Sequence, residues 1–133
     1  MTQKNILVPI DPENKDLKAL YHSLALGERI QAKVFILLSR QSANHPGIGS
    51  WVEEVLMDVI HGACEEGLQV SYHIAEGGFE EEVLSLVESE RIDLIVVSAE
   101  KGPVKDSLQR IIPQMSTQII QVRGKDKATD LIE

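Results

Sequence analysis

A three-layer, doubly wound α/β domain is the fold this sequence predicts, and three observations predict it. Five short apolar runs, Ile6 to Ile10, Val34 to Leu38, Leu68 to Ile74, Leu94 to Val97 and Ile119 to Val122, alternate with segments of helical spacing along the chain. Several of these runs are nearly continuous, the pattern of strands buried on both faces of a parallel sheet. The composition, 43% hydrophobic and 26% charged over 133 residues with only 4% aromatic, suits one globular domain with an aliphatic core.

Taken in order, the first strand is Asn5-Ile6-Leu7-Val8-Pro9-Ile10-Asp11, an apolar run that ends in a rigid turn with a carboxylate at its tip. Leu17, Leu20, Tyr21, Leu24 and Ala25 then fall on one helical stripe. After the second strand, Ser39 to Ser50 holds the turn formers Asn44-His45-Pro46-Gly47-Ile48-Gly49 and is expected to be irregular. Val52, Val55, Leu56, Val59, Ile60 and Ala63 mark a second amphipathic helix, with Cys64 beside the stripe as inert packing.

The third run alternates, placing Leu68, Val70, Tyr72 and Ile74 on one side, which puts it toward an edge of the sheet. Gly77-Gly78 separates it from a shorter helix over Phe79, Val83, Leu84 and Val87, whose Glu80-Glu81-Glu82 start complements the helix dipole. A last helix carries Leu108, Ile111, Ile112 and Met115, shortened or kinked by Pro113. Strands that alternate with helices imply parallel pairing, right-handed crossovers and helices on both faces. The whole reads as a single domain over 1–124 with a charged tail over 125–133 that is expected to fray.

Composition also excludes function classes. A formal net charge of −8 offers no basic surface to nucleic acid or anionic lipid. The polar start Met1-Thr2-Gln3-Lys4-Asn5 lacks a signal-peptide core, a single cysteine forms no internal disulfide, and no apolar run approaches the roughly 20 residues that span a bilayer. The cytoplasm is the expected compartment. His22, His45, His61 and His73 show no metal-ligand spacing, and neither a G-x-S-x-G elbow nor a Walker A loop occurs. No metal and no catalytic residue is therefore expected, and an enzyme, such as a weak nucleotide hydrolase, is the lesser alternative.

Three stretches carry a family resemblance. Lys4-Asn5-Ile6-Leu7-Val8-Pro9-Ile10-Asp11, followed by a helix and then Gln31-Ala32-Lys33-Val34-Phe35-Ile36-Leu37-Leu38, resembles the opening of universal stress proteins. Ile92-Asp93-Leu94-Ile95-Val96-Val97-Ser98 is similar to that family's fourth strand, and Gln118-Ile119-Ile120-Gln121-Val122 to its last. The resemblance implies a Rossmann-like, adenine nucleotide alpha hydrolase-like sheet in the order 3-2-1-4-5, whose switch point lies between the first and fourth strands. Ligands of open α/β sheets bind at such a point.

In members of that family that bind ATP, the adenine end lies against the first-strand turn and the end of the second strand. By position these are Pro9, Ile10, Asp11 and Ser39 here. Phosphates lie on a glycine-rich loop after the fourth strand, where backbone N–H groups and a helix N-terminus hold the negative charge. The corresponding Ser98-Ala99-Glu100-Lys101-Gly102-Pro103-Val104-Lys105-Asp106-Ser107 has one glycine where three are expected, and adds two carboxylates. Ser98, Gly102 and Ser107 remain as a degenerate anion site, with Ser107 or Asp106 as a plain helix cap the competing reading. Asp11 likewise suits either a ligand contact or a helix start.

The implied function is a universal-stress-type regulatory or stress-response protein that acts by dimerisation and by protein or small-ligand binding, without the family's usual ATP binding and with no required cofactor. An adenine-nucleotide sensor for AMP, ADP or ATP at the degenerate site is the alternative. The resemblance implies a homodimer through the last strand, Gln118, Ile119, Ile120, Gln121 and Val122, which at a sheet edge presents an unpaired ladder. A protein partner of unknown identity completes the expectation.

Overall fold

The computed structural model describes residues 3–10, 17–39, 46–75, 78–98, 103–123 and 127–130. Strand β1 (Asn5–Ile10) is followed by helix α1 (Lys18–Ile30), β2 (Lys33–Ser39), α2 (Pro46–Glu65), β3 (Val70–Ala75), α3 (Phe79–Ser89), β4 (Leu94–Ser98), α4 (Pro103–Ile111), β5 (Gln118–Arg123) and β6 (Lys127–Asp130). One sheet in the order β3-β2-β1-β4-β5-β6 holds all the strands. β1 to β5 pair in parallel, in the 3-2-1-4-5 order expected, and β6 lies antiparallel to β5.

Two-residue periodicity divides the core. Ile6, Val8, Ile10, Val34, Ile36, Leu38, Val96 and Val122 point to the layer formed by α1 and α2. Leu7, Phe35, Leu37, Ile95, Val97 and Ile119 point to α3 and α4, against Phe79, Val83, Leu86, Leu108 and Ile111. Right-handed crossovers that move first one way along the sheet and then the other put the helices on opposite faces in these pairs.

Local chemistry sets the element ends. α2 stops at a left-handed glycine, Gly67 with φ 92°, while Leu68 N–H bonds back to Ala63 C=O at 3.1 Å. α4 gives way at Ile112–Gln114 to a short 3-10 turn containing Pro113, as the missing N–H there requires.

Four expectations are corrected. α2 begins at Pro46, so 46–50 are helical, because proline is at home in a helix's first turn and the two glycines are tolerated there. Residues 40–45 lie outside the described residues. Cys64 is exposed, about 100° around the helix from its neighbour Ala63 on the apolar stripe. α1 buries Ala19, Leu20, Ser23 and Gly27, whereas Tyr21 stands 54% exposed, so the apolar stripe read from the sequence is wider than the face the core uses. Finally, the ladder of Gln118–Val122 is only partly open: β6 pairs with it from Ile120↔Asp130 to Arg123↔Lys127, so part of the charged tail is a strand and covers the Ile120–Val122 part of the edge assigned to a second copy.

Candidate functional site

The candidate site is built on a difference between the two sides of β1. Toward β2 the register runs without a gap from Asn5↔Lys33 to Ile10↔Leu38. Toward β4 it covers only Ile6↔Leu94 and Leu7↔Ile95. The reason is in the sequence. Lys4 C=O accepts from Lys33 N–H on the β2 side, and Asn5 C=O accepts from Asp93 N–H on the β4 side, so odd-numbered backbone groups of β1 face β4. The next rung on that side needs an N–H at position 9, and Pro9 has none.

At the amino edge the same two strands are clamped. Asp93 Oδ2 accepts from Asn5 N–H at 2.8 Å while Asp93 N–H donates to Asn5 C=O at 2.8 Å, and Asn5 Nδ2 donates to Glu90 C=O at 2.7 Å. β1 and β4 are thus fastened at one end and released from the ladder at the other. The released end is the carboxyl edge at the switch point of the sheet, where α/β folds hold ligands.

The structure brings four of the expected site residues to this edge. Pro9 and Ile10 end β1, both buried, with Ile10 opposite Leu38. Ser39 follows Leu38, is 2% exposed and lies opposite Ala75. Ser98 ends β4, half-buried and opposite Val122. Asp11 and Gly102 lie outside the described residues.

Ser107 departs from its reading as a helix cap. α4 starts at Pro103, so Ser107 sits a full turn inside the helix and neither it nor Asp106 is the residue preceding the first turn. Its hydroxyl is buried and accepts from Arg110 Nη2 at 3.1 Å. Arg110 also donates to Glu80 Oε2 of α3, from Nε at 2.9 Å and Nη2 at 2.6 Å, which ties α3 to α4. Pro103 was the signal for the earlier helix start.

A serine–histidine contact also escaped the sequence reading. Ser71 Oγ and His73 Nε2 lie 2.9 Å apart on one face of β3, a pairing that the two-residue period of a strand makes possible. The His73 ring stacks on Phe35 with centroids 6.2 Å apart, and Lys33 Nζ lies 4.9 Å from the centre of the Phe35 ring. His73 makes no other side-chain hydrogen bond among the described residues, so no third group orients it as a base. Among the described residues no cluster of His, Cys, Asp or Glu is arranged to hold a metal ion, and no helix is long and apolar enough to cross a membrane.

No family model matches the chain, and no curated protein matches it by sequence. Solved structures do. A universal stress protein in complex with cAMP superposes with TM-score 0.65 at 17% identity, over 92% of this chain and 98% of that one. The universal stress protein of Archaeoglobus fulgidus in complex with dAMP gives TM-score 0.63 at 13% identity, over 91% and 98%. A universal stress family protein from Burkholderia pseudomallei gives 0.63 at 16%, over 90% and 95%. Together with the strand order and the switch point, these matches identify the architecture: the chain has the fold of the universal stress proteins.

Proposed function

We propose that this chain is a universal-stress-type regulatory protein of the cytoplasm that works by binding other molecules and turns nothing over. The single observation behind the small-ligand part is the end of the β1–β4 ladder at Pro9, flanked by Ser39 and Ser98 at the carboxyl edge. A triphosphate is a poor fit to that edge. The 98–107 stretch has one glycine and two carboxylates, and Ser107 is engaged with Arg110 inside α4.

A second reading, an adenine-nucleotide sensor, is favoured by the two matched proteins that hold cAMP and dAMP. Both are nucleoside monophosphates, which ask for less of a phosphate loop than ATP does. In this reading Pro9, Ile10, Asp11 and Ser39 meet the base and ribose, and Ser98 and Gly102 stand near the single phosphate. Self-association remains part of the proposal, but a second copy that joins at the β5 end has to pair with β6 or displace it.

Calorimetric titration with AMP, cAMP, dAMP, ADP and ATP, with and without magnesium, is the test. The proposal expects AMP-type ligands to bind more tightly than ATP or no nucleotide to bind at all, these two outcomes separating the sensor from the purely protein-binding form. Micromolar ATP binding that needs magnesium, or nucleotide hydrolysis lost on Asp11→Ala, would overturn it.

A further inference from the structure

The layer formed by α1 and α2 is not closed. A groove of about 460 Å³ runs between the two helices, with Tyr21 and Leu24 on one wall, Val59 and Ala63 on the other, and Leu68 beyond the end of α2. On α1, Leu24 packs partly against the core, whereas Tyr21 stands 54% exposed. In the opposite layer Arg110 fastens α4 to Glu80 of α3.

Gly62 is the second observation. It lies within α2 and lines the groove, and a Cβ built on it meets nothing within 4 Å. A glycine inside a helix is unfavourable relative to alanine. Neither a positive φ nor a close neighbour requires one here, since Gly67 is the glycine with positive φ among the described residues. What Gly62 preserves is the width of the groove.

Charge selects the occupant. Glu28, Asp58 and Glu66 stand along the groove, with no lysine or arginine among its lining residues. None of the three carboxylates makes a hydrogen bond or ion pair with a described residue. A second copy would bring the same three carboxylates and another net charge of −8 against them. A neutral apolar segment would strip water from them without replacing it. An amphipathic helix whose apolar face is bordered by Lys and Arg satisfies both the walls and the rim.

We infer that the α1–α2 groove, walled by Tyr21, Leu24, Val59 and Ala63 and bordered by Glu28, Asp58 and Glu66, docks a cationic amphipathic helix of a partner protein. This gives the protein-binding part of the proposed function its partner chemistry and rests on that part alone. The nucleotide edge is a separate site, so failure here leaves the titrations above untouched.

The probe is a labelled peptide of about 18 residues, long enough for five helical turns, with leucine along one face and lysine on both flanks. Its twin carries glutamate in place of every lysine. Fluorescence anisotropy should show the lysine peptide binding at micromolar concentration and the glutamate peptide not binding. Gly62→Leu, which fills the groove from a position with free space around it, should weaken binding by about tenfold or more while the melting temperature holds or rises. The double variant Glu28→Lys with Glu66→Lys should weaken it similarly, whereas Glu88→Lys with Glu90→Lys, an equal charge change at exposed positions of and beyond α3, should leave it intact.

Equal losses for the two charge-reversed pairs, or unchanged binding by Gly62→Leu, would mean unspecific attraction and overturn the assignment. No binding at about 100 µM, some fifty- to hundredfold above the expected range, would do the same. Self-association of the wild type that Gly62→Leu abolishes would give the groove to a second copy instead.

Discussion

β1 is fastened over its whole length on one flank and over two residues on the other, and the difference comes from one residue. On the β2 side every even-numbered position has an N–H to give, and the ladder reaches Ile10↔Leu38. On the β4 side the ladder stops after Leu7↔Ile95 because the next donor is the nitrogen of Pro9. The Asn5–Asp93 clamp then shows that the release is confined to the carboxyl edge. A central strand that contains a proline ordinarily counts against its assignment as a strand. Here it marks where the β1–β4 ladder ends, at the edge proposed to hold a ligand.

The largest expected effect breaks the fastened half. Leu7 is fully buried and is the last β1 residue paired with β4, so Leu7→Ala should cost about 2–5 kcal/mol, read from the urea midpoint. A loss below about 1 kcal/mol would mean that the surrounding side chains collapse into the space and that the paired half is not the rigid partner in the comparison.

Asp93→Ala should cost less, about 1–2 kcal/mol, because it leaves Asn5 N–H to water at an exposed edge while the backbone bond from position 93 to Asn5 C=O survives. Amide exchange should quicken at position 5 and stay unchanged at Lys33. Equal quickening on both flanks of β1 would show that the two ladders open together, and the contrast between them would fail.

Pro9→Val is expected to change stability least, by under about 1 kcal/mol, and to sharpen the comparison most. It supplies the missing donor toward β4, so a slowly exchanging amide should appear at position 9. Any AMP-type binding at the carboxyl edge should weaken as the ladder extends. A rapidly exchanging amide there would place the cause of the break elsewhere than in the proline.

The helix layers repeat the lesson at another scale. The α3–α4 seam is fastened by Arg110, and the α1–α2 seam holds a groove. In both pairs of regions the open member carries a local chemical difference: a proline without a donor in one, and a helical glycine beside three carboxylates without a hydrogen-bond or ion-pair partner among the described residues in the other.

Much of this was legible in the sequence, and the exceptions have physical causes. Period-two alternation at Leu68 to Ile74 placed β3 at the edge, and near-continuous apolar runs placed β1, β2 and β4 inside the sheet. Pro9, Ile10, Ser39 and Ser98 were assigned to one edge by the resemblance to universal stress proteins, carried over by position. The cap reading of Ser107 failed because Pro103 starts α4 a turn earlier, and Tyr21 was counted with the apolar stripe because periodicity cannot tell a stripe that is buried from one that lines a groove. β6 was missed because Lys127-Ala128-Thr129-Asp130 has almost no apolar content, and an edge strand held by backbone bonds to β5 needs none.

The sequence by itself determined the layers, since these follow from the period and order of its apolar runs, while the strand order came from the family resemblance and is the order observed. Only the tertiary structure decided which apolar residues are covered, which hydroxyl is already engaged, and which strand forms the edge beside β5. Those depend on how far apart the helices sit on the sheet and on which backbone groups meet, and neither quantity is written in local periodicity.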